Sequence, residues 1–588
     1  MWQGLFRVFP WLYIKAMHDQ TPYGAGPCYC CITEVLMKRA TLLAVTLLCL
    51  SLWQQVIAGP DVSSYIRSQI DRMRSGDCVE IDDCPISSTI LLPALYEKYG
   101  YQLIWKNADA VSQLVAAIEA SYEDGLDPQD YHLDGIRRLQ ASLGAGGDSA
   151  TRAELDLVLT DSLVRLGYHL QIGKVDPESL DSNWNMERTL ELDPILKMSA
   201  AIDSAEVTSL VAALRPQAAI YHDLKQALAD YRRLQADGGW PAVPPGDSLK
   251  PGMNDPRVPA IRRRLAVTGD MPAVDLDSPE FDNAVEAGVR HFQQRHGLEA
   301  DGIVGKGTLA ELNVPVEARI DQLRVNLERA RWVLHDLPED FVLTDIAGFK
   351  VRYFRGGQPV WVTRAQVGMA YRKTPVFRDR IRYIEFNPTW TVPPTILRQD
   401  ILPRAKKDPA YLEEKDLQVI DYNGKSVDAA TIDWSRYPAA GFPYLLRQEP
   451  GPNNALGRMK FMFPNKHAVY LHDTPHRAGF GQARRAFSSG CIRIEDPFAF
   501  ARLLLADKPD WNQARIDQVV ESRKTTRVNL TEPLTVLLLY WTAEVDADKQ
   551  VIFRSDIYDR DAEVLSALNG RFEFRDRPII RQHRAGVI

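Results

Sequence analysis

Cysteine is scarce in this chain, at seven in 588 residues, and four of the seven fall within the first 49 positions. Basic clusters are missing as well. The formal net charge is -7 and the pI about 6.0, so there is no positive field of the kind a polynucleotide partner requires, and no nucleic acid is expected. No Gly-x-Ser-x-Gly elbow and no Ser-x-x-Lys sequence occurs, which removes two classes of serine nucleophile. What is present is a globular composition, 45% hydrophobic and 25% charged, neither disordered nor multi-spanning. At this length the chain exceeds one ordinary core, so three or so folded units are expected.

The segment MKRATLLAVTLLCLSLWQQVIAG, from Met37, has the three parts of a secretory signal: Lys38 and Arg39, an apolar run from Leu42 to Leu52, and a small-residue site ending at Ala58. The run is about half of the roughly 20 residues a membrane span needs. Cleavage and export are therefore expected, with tethering to a membrane as the alternative if the segment stays in place. Residues 1–36 read as an extension upstream of the true start. Cys28, Cys30, Cys31 and Cys49 all precede the cut, which leaves Cys78, Cys84 and Cys491. In an oxidising compartment Cys78 and Cys84 can pair, and Cys491 becomes an odd thiol, either a reactive group or an inert core residue.

The expected architecture is α+β and multidomain. After the extension and signal (1–58), residues 59–247 read as a helical scaffold with apolar residues at helical spacing. His132, His169 and His222 are isolated there and read as structural. The Pro/Gly cluster GGWPAVPPGDSLKPG closes this region as a linker. Residues 248–315 form a small helical unit in which Val285, Val289 and Phe292 share one face, Asp301-Gly302 turns the chain, and Thr308 to Glu311 resembles a helix start. Its Gly-Lys-Gly lacks the rest of a phosphate loop, so nucleotide binding is excluded. A connecting helix (316–339) has Ile320, Leu323, Leu327, Ala330 and Leu334 on one side, with arginines and glutamates elsewhere. Period-two segments then mark a β-rich domain over 340–545: FVLTDIAGFKVRYF, PVWVTRAQVGM, DRIRYIEFN, HAVYLHD and LTVLLLYWTAEV. A C-terminal segment, 546–588, follows. A charged, helix-compatible insertion at about 394–440 is either a lid over a cleft or a surface elaboration.

Residues 472–491, HDTPHRAGFGQARRAFSSGC, hold the odd cysteine. On an extended HAVYLHD strand His472 shares a face with Tyr470, while His467 points the other way and His476 lies beyond Pro475. No HExxH or CxxC pattern accompanies these histidines, so no metal is expected. A thiol activated by an imidazole needs less. His472 is the candidate base, Gly490 allows close backbone approach, and the amides of Gly490 and Cys491 are candidates for an oxyanion hole. Arg493 either grips a substrate carboxylate or pairs with Glu495 or Asp496. Tyr470 is lining or core, and Ser488 and Ser489 are positioning groups. Spacing alone does not establish that cysteine and histidine meet.

FQQRHGLEADGIVGKGTLAEL resembles the peptidoglycan-binding domain, here either a ligand-binding or a purely structural module. YLHDTPHRAGFGQARRAFSSGCIRIED resembles the catalytic signature of the L,D-transpeptidases, and FNPTWTVPPTIL, RQEPGPNNALGRMKFMFPN and VLLLYWTAEVD resemble further blocks of their large multidomain branch. The resemblance implies a periplasmic enzyme of peptidoglycan with Cys491 as nucleophile and His472 as proton donor and acceptor. It implies tetrapeptide stems as donor and acceptor, 3→3 cross-links as product, carbapenem sensitivity, and no cofactor. It also brings Asn387, Trp390 and Arg458 into the expected cleft. One departure stands out: many members carry histidine directly before Gly-Cys, where this chain has Ser489. The alternatives are a hydrolase on the same acyl-enzyme and a non-catalytic wall-binding scaffold.

Overall fold

The structure, a computed structural model, describes residues 61–186, 194–335, 337–437 and 441–571. The proposed signal segment and the first four cysteines lie outside the described residues. Among those described, no helix is long and apolar enough to cross a membrane.

Helices dominate from Val62 to Ala236, arranged around the 24-residue helix Ser149–Ile172. Asp148 caps that helix by accepting the Thr151 N–H. From Asp156 to Ile172 the helix is buried on nearly every side, and polar side chains there find partners inside the protein, as burial demands. Asp156 accepts from the Tyr96 hydroxyl at 2.6 Å and from the Trp105 N–H at 2.8 Å, and Asp161 pairs with His132 at 2.8 Å. His169 meets the Tyr131 hydroxyl at 2.8 Å. His132 and His169 are thus core groups of the helical array.

A short hairpin, β1 (Val79–Ile81) and β2 (Cys84–Ile86), turns through Asp82 and Asp83, both in the left-handed region. Ile81 faces Cys84 in this register, so Cys78 lies beyond the far end of β1. Cys78 and Cys84 are both free, Cys84 being buried and Cys78 exposed. The pairing open to them in sequence is not made, because the hairpin carries them to opposite ends of its ladder.

The small unit packs helices Val258–Val267, Asn283–Arg295 and Lys306–Leu312. Val285, Val289 and Phe292 are fully buried in its core beside Ile261 and Leu265. Thr308 lies inside the third helix rather than at its start, where Gly305 is the N-cap.

The β-domain contributes β3 (Phe341–Asp345), β4 (Lys350–Arg355), β5 (Gln358–Gly368), β6 (Phe377–Phe386), β7 (Trp390–Thr391), β8 (Gln418–Ile420), β9 (Ser426–Val427), β10 (Leu445–Gln448), β11 (Met459–Met462), β12 (Leu471–His472), β13 (Ala486–Ser488), β14 (Ile492–Ile494) and β15 (Thr526–Leu539). The main sheet runs β13-β5-β14-β12-β11-β6-β15-β3-β4, and β4 pairs back onto β5. Eight strands therefore close on themselves, with β13 attached at the C-terminal end of β5. A final hairpin, β16 (Ala543–Val545) and β17 (Val551–Phe553), follows.

The insertion is wider than its charged stretch suggests. It has its own four-stranded sheet, β7-β10-β8-β9, and its own core, including Leu397, Leu402, Val419, Trp434, Phe442 and Leu446. A reading of it as only helix-compatible is corrected here: strands of two to four residues leave too short an alternation to be seen in sequence.

Helix Val316–Val333 joins the parts, and its polar side is not solvent-facing. Asn326, Glu328, Arg329 and Arg331 are all buried. Glu328 accepts from Arg331 Nη2 at 2.6 Å, from the Val175 N–H at 2.7 Å and from the Trp332 indole at 3.0 Å. Arg331 also donates to the Asp124 carbonyl at 2.8 Å. Gly173, at φ +99°, is required, since a Cβ there would lie 2.6 Å from the Glu328 carboxylate.

Candidate active site

β12 and β14 are parallel neighbours, with Leu471 opposite Ile492 and His472 opposite Arg493. The Ile492 N–H donates to the Tyr470 carbonyl at 3.1 Å, which sets Cys491 beside Tyr470. Side chains alternate along strands, so Tyr470, His472, Cys491 and Arg493 fall on one face.

Cys491 is half-buried, and its thiol donates to the Ala468 carbonyl at 3.6 Å. Burial pushes the thiol up to about 11, against the opposing pull of the Tyr470 N–H, the Arg493 charge and the Tyr470 hydroxyl. The Tyr470 hydroxyl is itself raised well above its ordinary value, chiefly by burial, so it meets the sulfur as a neutral donor.

His472 is 3% exposed, its ring edge-on to that of Tyr470 at 5.6 Å. Its Nδ1–H donates to the Asp473 carbonyl at 2.5 Å. A carbonyl can only accept, so Nδ1 carries the hydrogen and Nε2 is the nitrogen free to take a proton. Burial and the Arg493 charge lower the ring to about 3, outweighing the Asp473 and Leu456 carbonyls. Among the described residues no hydrogen bond joins His472 to Cys491. Their diagonal placement on paired strands separates the Cα atoms by roughly 8 Å, which leaves space for a reacting group.

The turn before Cys491 is fixed from within. Ser488 Oγ donates to the Cys491 carbonyl at 2.5 Å and accepts the Gly490 N–H at 3.1 Å. Thr374 Oγ1 donates to the Gly490 carbonyl at 2.9 Å, and Gly490 adopts φ +119°, a conformation that favours glycine. This corrects the expected oxyanion pair: the Gly490 amide is already bonded to Ser488, and only the Cys491 N–H stands without an acceptor among the described residues.

Arg493 donates to Gln366 Oε1 at 3.2 Å, and its Nε is buried without a partner. It does not pair with Glu495, which holds Arg364, or with Asp496, which caps the helix that follows through the Ala499 N–H. A half-buried guanidinium with no carboxylate partner among the described residues is an unusual arrangement, and it lies directly opposite His472.

The remaining predicted residues are placed elsewhere. Asn387, at φ 48°, pins a turn by donating to the Val519 carbonyl at 2.7 Å and the Lys524 carbonyl at 3.3 Å, so it is a structural group and not cleft lining. Trp390 lies opposite Gln448 in the insertion's sheet and packs on its core. The Arg458 backbone donates to Asp473 at 2.8 Å and accepts from Asn387, which supports the residue after His472 from behind. A Cβ on neighbouring Gly457 would lie 2.4 Å from that carboxylate.

The HAVYLHD strand is shorter than its pattern: only Leu471 and His472 are extended partners of β14, because Ala468 is left-handed at φ 53°. His467 instead packs on Phe377 at 4.9 Å, and the His476 carbonyl accepts from Gln366. Among the described residues no group of three His, Cys, Asp or Glu side chains is placed to hold a metal. Sequence reasoning missed Gln366 and Thr374, which lie more than 100 positions from Cys491 and carry no motif.

The fold and the site define a multidomain protein whose closed β-domain presents thiol, imidazole, phenol and guanidinium on one face. Comparison with known proteins narrows this. Residues 339–528 match the family described as "L,D-transpeptidase catalytic domain", residues 254–312 match "Putative peptidoglycan binding domain", and residues 91–228 match "Scaffold domain". A "Putative L,D-transpeptidase" of Haemophilus influenzae is 36% identical over 249 residues, covering 42% of this chain and 50% of that protein. The chain thus spans about half the length of that curated relative. Crystal structures of L,D-transpeptidases from Xylanimonas cellulosilytica and Stackebrandtia nassauensis are each 14% identical, with TM-scores of 0.17 and 0.19. They cover 50% and 51% of this chain and 99% and 96% of their own. The β-domain of this chain is thus similar in sequence to L,D-transpeptidase catalytic domains, and it lies beside a helical region and a small helical unit that match a scaffold domain and a peptidoglycan-binding domain.

Proposed function

We propose that the protein is an exported L,D-transpeptidase, acting in the periplasm, that makes 3→3 cross-links between peptidoglycan stems through an acyl-enzyme on Cys491. The observation that carries this is the shared face of Cys491, His472 and the unpaired Arg493. In the first half-reaction the His472 Nε2 takes the thiol proton, and sulfur attacks the carbonyl on the L-centre of the donor's diamino acid. The C–N bond to D-alanine breaks, and His472 returns the proton to the leaving amine. In the second half an acceptor amine attacks the thioester, His472 takes its proton, and the thiol is released. The Cys491 N–H is the oxyanion donor, joined by Tyr470 if its hydroxyl turns from sulfur to oxygen. Arg493 receives the donor's carboxylate.

Water in place of the amine gives the hydrolytic reading. Incubation of the purified protein with defined tetrapeptide stems, read by mass, separates them: dimers indicate transpeptidation and shortened monomers hydrolysis. Intact stems with wild-type protein would overturn both. A carbapenem adduct localised to Cys491 is expected under the acyl-enzyme reading.

A further inference from the structure

The loop 369–376, between β5 and β6, faces two ways. On its inner side Thr374 Oγ1 holds the Gly490 carbonyl and accepts the Gly368 N–H at 2.9 Å, while the Met369 N–H donates to the Ser488 carbonyl at 2.9 Å. The loop doubles back so tightly that a Cβ on Gly368 would lie 2.2 Å from the Arg372 carbonyl. It is thereby fastened to the turn that carries Cys491.

On its outer side Arg372 grips two elements at once. Nη1 donates to Ser489 Oγ at 2.9 Å, and the same guanidinium takes Asp400 through both carboxylate oxygens, at 2.5 and 2.9 Å, and Gln399 Oε1 at 2.7 Å. The Arg372 side chain is 9% exposed and that of Asp400 39%, so the pair is open to solvent on its carboxylate side, and its two-pronged geometry is what sets it above a single-contact surface ion pair.

Gln399 and Asp400 belong to the insertion, and a local feature explains why both reach one guanidinium. Leu397–Ile401 is a π-helical turn, in which the Leu402 N–H reaches back five residues to the Leu397 carbonyl. Pro403 has no N–H to give the Gln399 carbonyl, its ordinary helical partner, so the regular ladder is interrupted at this point.

We propose that Arg372 is a positioning residue that ties the seating of the insertion to the geometry of the nucleophile turn. With the insertion seated, Asp400 and Gln399 fix the guanidinium, the guanidinium fixes Ser489, and Gly490-Cys491 follow. With the insertion lifted, Ser489 loses its partner and the turn relaxes. Ser489, read from the sequence only as a positioning group, is in this scheme the link between lid and thiol. The catalytic consequence rests on the transpeptidase reading, whereas the mechanical coupling does not.

The test uses the full chain in two arms. Without substrate, Arg372→Gln is expected to raise amide exchange over 394–405 by about tenfold, the loss of a charge-assisted fork, with β6 and β15 unchanged as proof of folding. Cys491 alkylation by a small neutral reagent reads the turn. Asp400→Asn and Ser489→Ala should each change its rate by about threefold alone and by nothing further in the Arg372→Gln background, since both act through one group. Arg372→Lys, which keeps the charge and loses the fork, should fall between. With stems, Arg372→Gln is expected to raise donor KM more than it lowers kcat. Wild-type exchange in Arg372→Gln, or independent effects of Asp400→Asn and Ser489→Ala in that background, would overturn the coupling. Inert stems with the coupling intact would instead sink the transpeptidase reading alone.

Discussion

Cys491 and His472 rest as a neutral thiol and a neutral imidazole, one raised to about 11 and the other lowered to about 3. In the free protein, alkylation of Cys491 should therefore climb about tenfold per pH unit from 7 to 10 without a plateau, following the thiolate fraction; a plateau near neutrality would indicate a resting ion pair. Cys491→Ala should abolish product formation while leaving the thermal unfolding transition in place. Arg493→Gln removes the charge that lowers both groups, so His472 should titrate higher, and donor KM should rise by about tenfold or more for a lost charged hydrogen bond. At this scale the sequence picked out Cys491, His472 and Arg493 as candidates, and the structure sets all three on one face. It was not legible for the Gly490 amide, because spacing cannot reveal that Ser488 Oγ lies close enough to occupy it.

Among elements, the small helical unit carries a pH dependence whose sign is fixed. His296, stacked on Phe292 at 3.9 Å, is lowered to about 3 by burial, and Glu311, bonded to His296 and Arg319, is lowered to about 2. Both groups bind protons more readily unfolded than folded. Their stabilisation is present above about pH 6.5 for the histidine and about 4.5 for the glutamate, and it is lost as pH falls through those windows, by up to about 1.4 kcal/mol per pH unit for each group. Amide exchange in helix Asn283–Arg295 should accordingly quicken on acidification from pH 6.5, after correction for intrinsic rates, and His296→Gln should flatten the upper part of that dependence. The helices of this unit were visible in sequence because Val285, Val289 and Phe292 keep strict spacing. The insertion's strands were not, and neither was the left-handed Ala468 that cuts HAVYLHD to two paired residues. An alanine at positive φ carries no sequence signal.

For the whole molecule, helix Val316–Val333 is decisive. Its apolar face was predictable from period, but the burial of its arginines and glutamate was not, since periodicity shows which side is polar and not what lies against it. Glu328→Ala should cost about 3–5 kcal/mol, the penalty for leaving Arg331 buried and unpaired, read as a lowered denaturant midpoint. Gly173→Ala should be similarly damaging because it forces the Glu328 carboxylate aside from a φ that alanine disfavours. The closure of eight strands concerns the β-domain alone, whereas this helix ties that domain to the scaffold through Arg331 and the Asp124 carbonyl. The chain is consequently less divisible than its three matched segments imply. A proteolytic or recombinant fragment starting near Phe341 would shed the helix and strip Thr542 of Asn326, which holds it through two hydrogen bonds at 2.8 and 2.9 Å. A fragment ending before Phe341 would keep the helix but expose the side that packs on β16. Neither piece inherits a finished surface, so transplanting the catalytic part to another host protein means redesigning a seam and not merely choosing a linker.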